Sequence, residues 1–291
     1  MNGLSRRLRR GFCSLLPALG IAGAGPAAAL SLTPVSVSSY TEAYTCSAFR
    51  CERNGVTGTG NQTAYAPNTS ATATLKWGAA PVITTTSTAD LQTGAGSGPD
   101  PVSSRSGASM TLIYQMQLQG PSSISLPVVM HTSGQLKLTG SNLDGEVGFA
   151  TLSLKILGDQ NGAMNPIYRE YLHISSRDIG PTGTLTLPFD DSKTFNMGSN
   201  LLYEVQMFVS SITQIEPGQG PVNSGMTSLA TLDPLFEIDP TFAAAYPDYR
   251  LVFSSGAPVS TVPQPPSAAL LSLGLLAMGG VRRWRRSTTD D

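Results

Sequence analysis

The sequence predicts an all-β chain, an antiparallel β-sandwich of which the jelly roll is one arrangement, followed by a hydrophobic helix at the C-terminus. Three observations carry that expectation. Between residues 30 and 253 apolar side chains recur at alternate positions, and Gly, Pro, Asn or Asp breaks the pattern every ten residues or so. No segment of that body repeats apolar residues at i, i+3, i+4 and i+7 over three turns, so the helices that must cover a parallel sheet are missing. The 291 residues are 40% hydrophobic and 13% charged, the balance of a chain that buries a core.

At the N-terminus, Arg6, Arg7, Arg9 and Arg10 precede an apolar stretch, residues 12–24, and then Ala27-Ala28-Ala29. A positive start, a short apolar run and an A-x-A site are the three parts of a secretory signal peptide, which assigns residues 1–29 to the signal, with Ala27 and Ala29 at the cleavage site. The run is short and broken by Pro17, so it is a poor membrane span. Ser5-Arg6-Arg7 has the start of a twin-arginine signal, but Arg9 stands where an apolar residue is preferred. Cys13 opens the apolar run instead of following it, which argues against a lipoprotein.

Cleavage leaves Cys46 and Cys51 in a chain bound for an oxidising compartment. In one straight strand they would lie about 16 Å apart, too far for a disulfide, so a bridge requires a turn over residues 47–50. Such a bridge closes a short loop and stabilises by only about 2 kcal/mol. Free thiols are the alternative reading; a metal pair would need C-x-x-C spacing and nearby histidines.

The body, residues 30–258, reads as one domain. Met110, Leu112, Tyr114, Met116 and Leu118 alternate with polar residues, as in a strand with one buried face. The same alternation marks residues 135–139, 147–157, 167–174, 184–187, 201–209 and 250–253. Residues 94–107, rich in Gly and Ser with Pro99 and Pro101, read as a long mobile loop. No fixed repeat points to a solenoid or propeller.

Charge and chemistry narrow the function further. Setting aside the two arginine clusters, at residues 6–10 and 282–286, and the final Asp290 and Asp291, the body holds ten basic residues against 17 acidic ones, a net of -7 that makes a nucleic-acid partner unsuitable. Only His131 and His173 are available for histidine chemistry. G-x-S-x-G is absent, since Ser109 has Gly107 before it but Thr111 after it. Glu170 and His173 have the spacing of half a di-iron helix motif, yet on a strand an odd offset sends them to opposite faces. Asn142, Asp144 and Glu146 around Gly145, and Asp159 and Asn161 before Gly162, offer calcium-type oxygens. Both clusters lack the full loop spacing, and both are strong hairpin turns. Glu146, Glu170, Glu204 and Glu237 are the carboxylates from which a glycosidase pair would be drawn. Trp77, Tyr114, Tyr168, Tyr171 and Tyr203 could stack on sugars or serve as core and edge residues. No cofactor is expected.

After Pro258 the composition changes. Val262-Pro263-Gln264-Pro265-Pro266 forms a stiff spacer, residues 268–281 are almost wholly apolar, and Arg282, Arg283, Arg285 and Arg286 form a cationic stop around Trp284. This tail, residues 259–291, resembles the PEP-CTERM sorting signal of Gram-negative bacteria, with Gln264 in place of the glutamate. The resemblance implies an exosortase-type processing enzyme as partner, a transient hold on the inner membrane through the apolar helix, and release to the cell surface or beyond. Thr111-Leu112-Ile113-Tyr114 to Gly120-Pro121, residues 233–240 and residues 251–254 are similar to segments of secreted PEP-CTERM proteins that accompany exopolysaccharide and biofilm matrix. The resemblance therefore implies a structural, non-enzymatic surface or matrix protein near extracellular polysaccharide. A carbohydrate-binding module is the rival reading, and a glycan-active enzyme the third.

Overall fold

The computed structural model describes residues 31–46, 50–78, 80–91, 103–141, 147–160, 162–179, 183–215 and 224–255. Its strands are β1 (Ser36–Cys46), β2 (Cys51–Gly58), β3 (Gln62–Ala66), β4 (Thr69–Lys76), β5 (Val82–Leu91), β6 (Ser103–Gln119) and β7 (Ser125–Ser141). They continue as β8 (Val147–Gln160), β9 (Ala163–Ser175), β10 (Gly183–Gly198), β11 (Leu202–Ile215), β12 (Ser224–Ile238) and β13 (Arg250–Phe253). Among the described residues one 3₁₀ turn, Ser176–Asp178, and one short helix, α1 (Pro240–Ala245), interrupt them.

The strands form two antiparallel sheets, β2-β1-β6-β11-β8-β9 and β10-β7-β12-β5-β4-β3, with β13 also on β6. Their pairing defines the topology. β8 pairs with β9, β7 with β10, β6 with β11 and β5 with β12, so β5 to β12 is one long hairpin rolled until its successive strand pairs alternate between the two sheets. That arrangement is a jelly roll. The β3–β4 hairpin widens one sheet against β5, and the β1–β2 hairpin widens the other against β6. β1 leaves β6 at the Ser36–Ile113 pair, and β13 takes the rest of that edge, placing Arg250–Phe253 opposite residues 116–119.

The core is graded from one end of the sandwich to the other. One half is filled by Leu112, Met116, Leu136, Leu152, Leu154, Met207 and their neighbours, all fully buried. In the other half the buried positions are mostly Ala, Ser and Thr: Thr41 and Ala43 on β1, Ala71 and Ala73 on β4, Thr85 and Ser87 on β5, Ser104 and Ser106 on β6, with Ile215 and Met226 as larger members. Here a serine side chain spans the space between sheets. Ser106 Oγ donates to the Thr88 carbonyl at 2.9 Å, and Ser228 Oγ donates to the Phe149 carbonyl at 2.7 Å. The sheets therefore approach more closely than the about 10 Å that larger side chains impose.

One sequence expectation changes. Residues 103–107 are not loop but the start of β6, where the buried alternate positions are the polar Ser104 and Ser106 and give no apolar signal. Strands β1, β4 and β5 show little contrast because most of their buried positions are Ala, Ser or Thr, and β2 buries no residue. The exposed edges β9 and β10 carry Pro166, Pro188, Asp190, Asp191 and Lys193, devices that oppose edge-to-edge association. In β12, Pro234 comes after pairing with β5 has ended at Leu232, so its missing N–H faces no lost ladder on that side. Asp239 caps α1, its carboxylate accepting from Thr241 N at 2.9 Å with Pro240 at the first helical position. The segments expected to form a signal peptide, residues 1–29, and an apolar helix, residues 268–281, lie outside the described residues. Among the described residues no helix is long and apolar enough to cross a membrane.

Candidate functional site

Strand alternation sends one set of side chains of the β10-β7-β12-β5-β4-β3 sheet inward and the other outward, and the registers line up the outward set in ranks. Thr184, Thr139, Thr227, Thr88 and Ser70 form one rank across five strands, ending at Tyr65 on β3. The next contains Thr186, Thr86, Thr72 and Thr63, with Lys137 and Leu229 between them. The third contains Thr231, Thr84 and Thr74, continued by Gln135 and Pro188. Neighbouring hydroxyls touch across strands, Thr139 Oγ1 to Thr184 Oγ1 at 3.2 Å and Thr84 Oγ1 to Thr231 Oγ1 at 3.4 Å.

The ranks hold a single charge, Lys137, in a body that is otherwise acidic. Charged residues bracket them instead, with Lys76 exposed beyond the third rank on β4. Asp90 lies beyond the first rank, opposite Gly225, and Asp233 lies beyond the third, opposite Ser133. Burial holds both carboxyls above the ordinary carboxylate range. Farther along the same face His131 Nε2 meets Glu237 Oε1 at 3.3 Å.

The opposite outer face is different in kind. Tyr40, Tyr44, Phe149, Phe208 and Tyr171 are spread over β1, β8, β11 and β9 among charged residues such as Arg53, Glu42 and Lys155. Arg53 Nε donates to Glu42 Oε1 at 2.7 Å, and Tyr40 Oη donates to the other oxygen of Glu42. Exposed Tyr40 and Tyr171 are separated by four strand intervals, roughly 19 Å, with Ser and Thr positions between them.

The residues singled out in the sequence fall as follows. Cys46 and Cys51 are direct partners at the end of the β1–β2 hairpin, with Cα atoms 4.0 Å apart, and are joined as a disulfide. Tyr114 and Tyr203 are core residues, and burial raises both phenols. Tyr168 donates to Asp191 at 3.2 Å and sits edge-on to Phe195, its phenol raised first by burial and then by the Asp191 charge. With Trp77 on the segment after β4 and Tyr171 on β9, the five aromatics form no common platform.

Glu170 and His173 do alternate to opposite faces of β9, where His173 Nδ1 lies 3.0 Å from Thr151 Oγ1 and its ring 5.7 Å from that of Phe149. Glu204 and Glu237 lie on the outer faces of different sheets, so they do not face one another across a cleft. Asp159 Oδ1 accepts from Gly162 N at 2.8 Å, and Gly162 has φ of +83°, so that carboxylate is engaged in the β8–β9 turn. Asn142, Asp144 and Glu146 lie outside the described residues, as do Ala27, Ala29, Val262, Pro263, Gln264, Pro265 and the arginines Arg282, Arg283, Arg285 and Arg286. Among the described residues no three His, Cys, Asp or Glu side chains are grouped to hold a metal ion.

Hydropathy alternation does not mark the threonine ranks. Their signal was present as T-x-T spacing at Thr84-x-Thr86-x-Thr88, Thr72-x-Thr74 and Thr184-x-Thr186, but only the register shows that these runs are neighbours.

Fold and face together define a jelly-roll protein with one broad, nearly uncharged hydroxyl surface. No family model matches the chain, and no curated protein matches it. Among solved structures it has a slight likeness to a carbohydrate-binding module of the β-sandwich superfamily, with 8% identity over 68% of this chain and 85% of that chain and a TM-score of 0.17. Another likeness is to the Gx strain of infectious bursal disease virus, with 11% identity, 85% and 74% coverage and a TM-score of 0.17. Empty particles of cowpea mosaic virus give 9% identity, 78% and 88% coverage and a TM-score of 0.16. Likenesses of this size carry no argument about function.

Proposed function

We propose that the chain is an exported cell-surface or extracellular protein, sorted through its PEP-CTERM-like tail and structural rather than enzymatic, residing among extracellular polysaccharide. The observation that carries this reading is the three-part tail: the spacer with Val262, Pro263, Gln264 and Pro265, the apolar run, and the stop at Arg282, Arg283, Arg285 and Arg286. Arginines resist translocation, so the C-terminus stays cytoplasmic while the body crosses the inner membrane. A disulfide between Cys46 and Cys51 suits an oxidising destination and supports export.

The structural reading is supported by what the sandwich does with its polar residues, which it spreads over two outer faces instead of gathering around a cleft. The rival carbohydrate-binding reading needs coplanar exposed aromatics, and Tyr40 and Tyr171 stand too far apart to sandwich one sugar ring. The test is deletion of residues 262–291 in the exporting host. The precursor should lose its membrane retention while the melting temperature of the body stays nearly unchanged. A large loss of thermal stability would make the apolar segment part of the fold and withdraw the sorting interpretation.

A further inference from the structure

The threonine ranks have a two-dimensional repeat. Adjacent strands set positions about 4.8 Å apart across a rank, and alternate residues set ranks about 6.8 Å apart along each strand. These two distances are close to the two repeats of the oxygen lattice on the prism face of hexagonal ice. The regular block is densest on β5 and β4, where Thr84, Thr86 and Thr88 stand beside Thr74, Thr72 and Ser70.

Each threonine offers a methyl group and a hydroxyl whose directions are restricted by β-branching at χ1. Such a side chain orders water by its hydroxyl while its methyl excludes competing solvent. The block carries no charge, and the nearest carboxylates, Asp90 and Asp233, stand outside it. An uncharged lattice is complementary to an uncharged face. The block's nearest cations, Lys76 on β4 and Lys137 on β7, likewise stand at its borders.

Rigidity comes from beneath. Ala71, Ala73, Thr85 and Ser87 fill the inward positions of the same two strands with no exposed surface, and the Ser106–Thr88 hydrogen bond ties this sheet to the other. A thin, closely packed layer keeps the outward ranks in register. Sugar binding would call for aromatic stacking, and Tyr65, at the end of one rank, is the sole aromatic in the three ranks.

We infer that the outer face of β12, β5, β4 and β3 is an ice-binding face, occupied by the prism plane of an ice crystal. The inference does not depend on the sorting tail. The experiment uses the purified exported chain, watched under a microscope on single ice crystals held just below melting, with fluorescently labelled protein to report adsorption. The expected result is faceted crystals coated with protein, and a gap between melting and growth. In Thr72→Lys combined with Thr86→Lys, both outward and central, that gap should fall by at least an order of magnitude, while Thr111→Lys on the opposite sheet leaves it intact.

Should the double variant fold poorly by circular dichroism, Thr86→Ser and Thr86→Val separate the hydroxyl from the methyl, and each should reduce the gap. Round, uncoated ice crystals with the wild-type chain would overturn the inference. Adsorption to insoluble polysaccharide, abolished by the same lysines without any effect on ice, would assign the face to a glycan and overturn it equally. So would a concentration-dependent dimer that those lysines dissolve.

Discussion

The Tyr249 hydroxyl is bound to Ser122 three times over: it lies 2.7 Å from Ser122 Oγ, accepts from Ser122 N at 3.2 Å and donates to the Ser122 carbonyl at 2.9 Å. The two residues are 127 apart in sequence. Their contact fastens the return from α1 to β13 onto the β6–β7 corner. An aromatic series, Phe242 stacked on Tyr246 and Tyr246 edge-on to Tyr249, carries that fastening back into α1.

Tyr249→Phe removes these hydrogen bonds and keeps the ring, so it should destabilise by about 1 kcal/mol. Gly120→Ala should cost more, about 2 kcal/mol, because a Cβ there would lie 2.0 Å from Tyr249 Cε1 and must displace the ring. Urea unfolding of the two variants checks the order. A Gly120→Ala protein as stable as wild type would show that the corner is loosely packed.

Asp233 gives a pH dependence. Its Oδ1 is buried without a hydrogen-bond partner, and burial raises its carboxyl above the unfolded value of about 4. The folded state therefore holds the proton more tightly than the unfolded chain, and this group's contribution is most favourable at acid pH and is lost as pH rises through its folded value. Asp233→Asn should melt higher than wild type at pH 7, and the difference should vanish toward about pH 4. Melting curves across that range test the sign.

The Cys46–Cys51 bridge closes a loop of sequence separation 5, for which chain entropy predicts about 2 kcal/mol. Replacing both cysteines by serine should lower the melting temperature by about 4–8 °C without changing the far-ultraviolet spectrum. Intact-mass analysis with alkylation of the exported wild-type chain should find no reactive thiol.

The thin half of the core has its own signature. Thr85 Oγ1, Ser87 Oγ, Ser104 Oγ and Ser211 Oγ are buried with no hydrogen-bond partner. Thr85→Val keeps the shape and removes a stranded hydroxyl, so it should stabilise by about 1 kcal/mol. Ala73→Leu, in the same layer, should destabilise by about 2 kcal/mol or more, since the close approach of the sheets leaves no room for added methyl groups. Equal and small effects from both would refute a tightly packed layer.

The central strands were legible because Met110, Leu112, Tyr114, Met116 and Leu118 put large apolar groups on the buried face. β4 and β5 were not, because Ala71, Ala73, Thr85 and Ser87 are as buried as any leucine yet differ little in polarity from their exposed neighbours. Alternation in hydropathy reports burial only where the core is built from large side chains. The candidate face shared this fate: threonine on both sides of a strand erases the contrast.

By itself the sequence determined the fold class, the turn at Asp159 to Gly162 and the opposition of Glu170 and His173, since each follows from local backbone geometry and the two-residue period of a strand. Pairing was decided only by the tertiary structure. That β5 lies between β12 and β4, that Thr184, Thr139, Thr227 and Thr88 fall into one rank, and that Tyr114 and Tyr203 are spent on the core all depend on contacts between residues far apart in the chain. A one-residue slip in any register would turn the threonines inward. The face therefore belongs to the packing of whole sheets, which no single strand encodes.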